Sequence, residues 1–154
     1  MRTLTSILIL FVFLVACSGN KQLSQNESGT ADISAEEKAI FEEKKPDTVR
    51  IANDSVEYEI IIIDNGFYSW LNSIAQPRGY YSQNYLENRN NIYVINWNQR
   101  VMNPGRYGDL YQMRIDYDAG TDYGYEVNYQ LYNYFLYFQR KYNQRLGPFI
   151  PRIN

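Results

Sequence analysis

The chain has no histidine and a single cysteine, Cys17, among its 154 residues. Without histidine a Ser-His relay is impossible and the commonest general base is missing. One cysteine cannot close a disulfide within the chain, and a Cys/His zinc site has no ligands to draw on. Positive charge is not in excess. The 15 Lys and Arg stand against 17 Asp and Glu, so the basic footprint of a nucleic-acid binder is lacking. A long apolar run occurs once, from Leu4 to Val15, roughly a dozen residues where a membrane span needs about 20.

What is present begins with that run. Met1-Arg2-Thr3 supplies a positive start, Leu4 to Val15 an apolar middle, and Leu14-Val15-Ala16-Cys17 an end. The length suits a signal peptide. The ending resembles the bacterial lipoprotein box, in which the cysteine becomes the first mature residue and carries acyl chains. Residues 1–16 are therefore expected to be a lipoprotein signal peptide and Cys17 the lipidation site. Two or more chains give stable anchoring, each buried methylene adding about 0.8 kcal/mol. Loss of residues 1–16 removes one positive charge, Arg2, and leaves 14 basic against 17 acidic side chains. The expected location is the cell envelope, on the outer membrane and facing the periplasm, since Ser18, Gly19 and Asn20 bring no acidic cluster behind the cysteine.

Residues 17–46 read as a flexible polar tether. Up to Thr30 the composition is Ser, Gly, Asn, Gln, Lys and Glu with Leu23 as its large apolar residue, too little to bury. Ser34 and Glu37 form a capping-box pattern, so a short charged helix is expected there, stopped by Pro46 and left solvated rather than docked through Ile40 and Phe41.

Residues 47–154 read as one Tyr-rich globular domain of α+β class, an N-terminal β-hairpin packed with about three helices. Thr48–Ala52 and Ser55–Asp64 flank an Asn53-Asp54 turn and read as the hairpin. In the second strand Val56, Tyr58, Ile60 and Ile62 share a face, and the extra Ile61 and Ile63 imply that its later half is covered on both faces. Phe67 to Ile74 carries apolar residues at helical spacing. From Ser82 to Met102 two readings compete, because Ile92-Tyr-Val-Ile95 is a good strand core while Leu86, Tyr93, Val94, Trp97 and Val101 form a helical stripe. The longer period favours a helix. Arg106 to Asp118 reads as loop with an extended piece near Tyr111 to Tyr117. The last helix, capped by Thr121 or Asp122, buries Val127, Leu131, Tyr134, Phe135, Phe138 and Tyr142 and keeps Glu126, Gln130, Asn133 and Arg140 as a narrow polar strip.

The lipoprotein box, Tyr58-Glu-Ile-Ile-Ile-Ile-Asp64, Trp97-Asn-Gln-Arg100, Asp122-Tyr-Gly-Tyr-Glu-Val-Asn128 and Leu131-Tyr-Asn-Tyr-Phe135 occur together. The combination resembles a family of small lipoproteins of Bacteroidota, classified as a domain of unknown function. The resemblance implies the envelope location and one compact domain, and carries no activity.

All 16 tyrosines lie between Tyr58 and Tyr142. Tyr80, Tyr81, Tyr107, Tyr111, Tyr123 and Tyr125 fall in loops or at helix ends and are candidates for an exposed binding surface, since tyrosine suits interfaces and sugar stacking. Trp97, Asn98 and Arg100 place a ring, an amide and a guanidinium within one helical turn, a second candidate set. Their structural use would put Trp97 in the core and the other two on loop carbonyls or on the acidic Asp116–Asp122 segment. Asp116, Asp118 and Asp122 resemble the start of a calcium loop, but Thr121 and Val127 stand where its Gly and Glu belong. No metal or cofactor is expected. No spacing selects a catalytic carboxylate pair from Asp109, Asp116, Asp118, Asp122 and Glu126. The expected function is a non-catalytic accessory lipoprotein that binds an envelope protein partner, with a glycan or peptidoglycan binder next and a carboxylate hydrolase third.

Overall fold

A computed structural model describes residues 32–153. The expected signal peptide, Cys17 and most of the expected tether lie outside them. The described chain is a small α+β domain: α1 (Ala35–Phe41), β1 (Thr48–Asn53), β2 (Tyr58–Ile63), α2 (Phe67–Ser73), α3 (Gln83–Val101), α4 (Pro104–Tyr107) and α5 (Gly124–Lys141). The five helices exceed the expected three through α1 and the one-turn α4. Among the described residues the Tyr111 to Tyr117 stretch holds no strand.

The helix α5 is the core element. From Leu131 to Arg140 every residue is buried. The hairpin, α2 and α3 pack on it. The apolar stripe is as the sequence indicates, but the polar strip is not: Asn133 and Arg140 are buried as well. Asn133 survives there by donating to the Tyr129 carbonyl one turn back, at 2.8 Å. The stretch from Ser82 to Met102 is a helix, and Ser82 caps it through the Tyr85 N–H. Asn90 and Asn128, both fully buried, join α3 to α5. The Asn90 amide donates to the Asn128 backbone and side-chain oxygens at 3.0 and 3.1 Å.

β1 and β2 pair antiparallel with Ile51 opposite Ile60. The link between them is a 3₁₀ turn over Asp54–Val56 followed by Glu57 at φ 51°, which displaces Val56 from the strand. Val49, Ile51 and Ile60 face the core, whereas Ile61 and Ile63 remain 49% and 77% exposed. The expectation that the end of β2 is covered on both faces is therefore wrong. A two-stranded sheet has one face on α5, and nothing described packs on the other.

The largest departure concerns α1. Its capping box forms, with Ser34 Oγ accepting from the Glu37 N–H and Glu37 Oε2 accepting from the Ser34 N–H. But α1 is docked rather than solvated, with Glu37 and Ile40 buried. Two features hold it. The Ile40 carbonyl lies over Gly66, where a Cβ would come within 2.6 Å and where φ is +86°, so both the approach and the backbone require glycine. The Glu37 carboxylate meets the Arg140 guanidinium, Nε to Oε1 at 2.6 Å and Nη2 to Oε2 at 2.5 Å. The Trp70 indole donates to Oε1 at 3.0 Å. Arg140 gives two of its three remaining donors to the Pro151 and Asp32 carbonyls, each at 2.7 Å.

Burial opposes ionisation of Glu37, and the Arg140, Trp70 and Ser34 bonds outweigh it, holding the carboxyl below its ordinary 4.5. A depressed carboxyl contributes stability that is present above that ordinary value and is lost as pH falls through the folded-state value. Breaking a buried pair by removing one partner leaves the other charge uncompensated, at a cost of about 3–5 kcal/mol. Glu37→Gln should therefore lower unfolding stability by about 3 kcal/mol in urea titration at pH 7. Its deficit relative to wild type should shrink as pH drops below 4.5. An equal deficit at all pH values would deny the pair its role.

Candidate functional site

A groove of about 290 Å³ runs between β2 and the segment after α4. Ile61 and Ile63 form one wall, Leu110 and Met113 the other, and Trp97, Tyr134 and Phe138 the floor. The opposite wall is held by α3. The Trp97 indole donates to the Met113 carbonyl at 2.8 Å, while Asn98 donates to the Ile115 carbonyl and accepts from its N–H at 2.8 and 2.9 Å. Trp97 and Asn98 thus shape the groove by fixing its loop. Trp97 and Arg100, candidates for a ligand pocket, are largely taken up by the fold. They are 4% and 6% exposed, and Arg100 is bonded to the Tyr111 hydroxyl, Gln144 and the Arg145 carbonyl.

The outer edge of β2 borders this groove. The Arg50 N–H donates sideways to the Tyr68 hydroxyl at 3.1 Å, so it does not point at its partner Ile61. In an antiparallel ladder, hydrogen-bonded and non-hydrogen-bonded pairs alternate. Arg50–Ile61 and Thr48–Ile63 are therefore non-bonded pairs, in keeping with the Asp64 N–H to Asp47 carbonyl bond at 3.1 Å. The backbone groups of Ile61 and Ile63 consequently face away from β1.

One end of the groove is closed by Asp64, with Tyr142 beside it. Lys141 Nζ donates to Asp64 Oδ1, the Asn65 carbonyl and the Tyr137 hydroxyl at 2.7, 2.8 and 2.8 Å. The Tyr142 hydroxyl donates to the same carboxylate oxygen at 3.0 Å, and the Tyr137 hydroxyl bonds the Asn65 carbonyl. A lysine beside a carboxylate and phenols has the parts of an acid–base set. Here the ammonium has three donors and all three are committed to the fold. Other carboxylates are committed too. Glu126 binds Arg78 through both oxygens at 2.8 and 2.6 Å, Asp118 accepts from the Gly120 N–H and Asp122 from the Gly124 N–H. The last two are turn bonds to an N–H two residues on. The N-cap of α5 is Tyr123, whose side chain makes no cap bond, so neither Thr121 nor Asp122 caps the helix as expected. Among the described residues no group of three acidic or sulfur ligands could hold a metal ion.

The six candidate tyrosines do not form one surface. Tyr80, Tyr81 and Tyr125 come together, Tyr125 accepting from the Gly79 N–H at 2.7 Å and donating to the Tyr81 carbonyl at 3.3 Å. Tyr107 and Tyr111 sit edge to face elsewhere, 5.6 Å between centroids. Tyr123 packs between Tyr58 and Tyr117 at 4.2 and 4.9 Å. Tyr111 and Tyr123 are buried, which corrects their assignment as exposed contacts. Both rings lie inside the aromatic packing that fastens the loops, a position their loop neighbourhood conceals. Cys17 lies outside the described residues.

A family model described as a family of unknown function (DUF6146) matches residues 5–149. The chain belongs to this family. The match covers both strands, all five helices and most of the N-terminal apolar run. Neither a curated protein nor a solved structure matches the chain. None of the described helices is long and apolar enough to cross a membrane. The DUF6146 domain thus brings its groove and its tyrosine packing without an activity borrowed from relatives.

The buried phenols give the domain a pH limit. Burial pushes Tyr93 and Tyr117 up to about 12. Burial and then the Asp64 charge hold Tyr134, Tyr137 and Tyr142 above their ordinary 10.0. A group whose folded value is raised stabilises the fold fully below its unfolded value and ceases to do so as pH rises through the folded one. Alkaline titration followed at 295 nm should show the buried phenols ionising in one cooperative step that coincides with loss of helical circular dichroism. Sixteen phenols titrating together without unfolding would contradict the packing.

Proposed function

We propose that this DUF6146 protein is a lipid-anchored cell-envelope lipoprotein whose Tyr-rich domain works by binding a protein partner rather than by catalysis. The anchor is supported by Leu14-Val15-Ala16-Cys17 at the end of the apolar run and by the likeness to small lipoproteins of Bacteroidota; the expected setting is the periplasmic face of the outer membrane. The binding reading is carried by one observation, the open edge of β2 along an apolar groove. Ile61 and Ile63 offer outward backbone groups and exposed side chains, the arrangement by which an extended segment adds to a sheet edge. Edge strands left open and apolar are a liability that folds ordinarily blunt. Against catalysis stands the commitment of Asp64, Lys141, Glu126 and Glu37 to bonds within the fold.

Two measurements on the full chain in cells test this. Metabolic labelling with an alkyne fatty acid should mark the wild type and leave Cys17→Ala unlabelled and released from the membrane fraction. A photo-crosslinker at position 63 should yield a discrete adduct with one envelope protein. That adduct should disappear with Ile61→Asp, which at this half-exposed position costs the fold little, and should not form from position 72. Labelling of Cys17→Ala, or identical adducts from both positions, would sink the respective half of the proposal.

A further inference from the structure

A second groove, about 440 Å³, opens between α3, α5 and the C-terminal tail. Its centre is a column of flat groups. Tyr81 and Tyr85 stack at 4.7 Å with 10° between their planes. The Arg89 guanidinium follows at 5.1 Å from the Tyr85 ring centre, and on its other side Phe149 lies 3.2 Å away. Tyr80 stands edge-on to Tyr81 at the outer end and is exposed. Tyr132 closes the floor against Tyr81 and Tyr85 at 5.3 and 5.9 Å.

Among the described residues the Arg89 guanidinium has no hydrogen bond and no ion pair, and its Nη1 is buried without a partner. The two rings attract the cation but leave the buried Nη1 unsatisfied, while Nε and Nη2 are not buried and are free of hydrogen bonds to the fold. Buried donors on a charged group are costly to leave so. Arg152, on the rim, is a second guanidinium without a carboxylate partner among these residues. The lining contains two cations, four phenols and no acid, in a chain whose acidic residues outnumber its basic ones. Burial holds the Tyr93 and Tyr132 phenols protonated far above neutral pH. A groove of this size lies within the roughly 300–1,000 Å³ span of small-molecule sites, too large for a lone inorganic anion.

We propose that this groove binds an acidic saccharide, a hydroxyl-rich ring whose carboxylate accepts from Arg89 and Arg152 while Tyr80 stacks on a neighbouring sugar face. Two guanidinium cations and no carboxylate among the lining side chains favour an oxyanion, and Tyr80, exposed beside the lining Tyr81, offers an aromatic surface suited to an apolar sugar face. The site stands apart from the β2 groove, sharing no lining residue with it, so either can fail without the other.

The test is calorimetry on the full chain in detergent with trigalacturonate, maltotriose and inorganic phosphate as probes. Trigalacturonate should saturate one site and bind at least tenfold tighter than maltotriose or phosphate, with affinity falling as salt rises. Tyr80→Ala should weaken trigalacturonate at least fivefold. Arg89→Gln should abolish the preference for the acidic trimer; if that variant unfolds, Arg152→Gln at an exposed position carries the test and should weaken the acidic trimer at least fivefold with an unchanged melting temperature. Equal affinity for both trimers, no binding of either, or phosphate binding as tightly as trigalacturonate would overturn the proposal.

Discussion

The buried pair of Glu37 and Arg140 is the constraint on which the rest of this domain depends. Its partners are 103 residues apart, and the four further groups bonded to them, from Ser34, Trp70, Asp32 and Pro151, come from the start of α1, from α2 and from both flanking segments. The carboxylate begins α1 through the capping box and closes the core through Trp70 and Arg140. The guanidinium collects the Asp32 and Pro151 carbonyls. One charge pair therefore stitches both ends of the described chain to the middle helix. Such a pair adds little net free energy over a well-packed apolar alternative. Its effect is to specify an arrangement, because this docking of α1 satisfies all of these directional groups at once.

The remaining polar interior follows the same logic. Asn90 with Asn128, and Lys141 with Asp64 and the surrounding phenols, place directional bonds between elements whose apolar contacts would tolerate sliding. Seven of the tyrosines are buried outright. Each brings a large ring to the core and a hydroxyl that needs an acceptor, so the acceptors are distributed where elements meet. Tyr129 donates to the Gln76 carbonyl, and Tyr137 to the Asn65 carbonyl. The aromatic richness that suggests a contact surface is chiefly the means by which a small domain without disulfides joins its loops to its core.

How much of this was legible in the sequence follows from the range of each interaction. The apolar stripes of α3 and α5 and the hairpin alternation are local periodicities, and they were readable. So was the capping box, a four-residue pattern. The structural use of Asn98 was foreseeable from its position beside Trp97. By contrast, the burial of Arg140 and Asn133 depends on α1 and the tail arriving from distant parts of the chain, which no window on α5 contains. The same arrival turns Glu37 from a solvated helix residue into a core one. The exposure of Ile61 and Ile63 escaped for the converse reason: an apolar residue predicts a cover, and the sheet stops at two strands. Tyr111 and Tyr123 looked accessible because they sit in loops, yet those loops are laid onto the core by these very rings. Arg89 gave no signal at all, since its meaning lies in Phe149, sixty residues on.

The grip of Arg140 on the Asp32 carbonyl also sets a length. With Cys17 acylated, the span between lipid and body is the 14 residues from Ser18 to Ala31, half of what a leash running to Pro46 would give. At about 3.3–3.6 Å per extended residue that is roughly 50 Å at most, and a random chain of that length averages nearer 20 Å. On the proposed anchoring, the domain would work as a short-armed reader of whatever lies just above its own bilayer, and its search would be a two-dimensional one in a thin layer in which a partner fixed to the same membrane is met at high effective concentration.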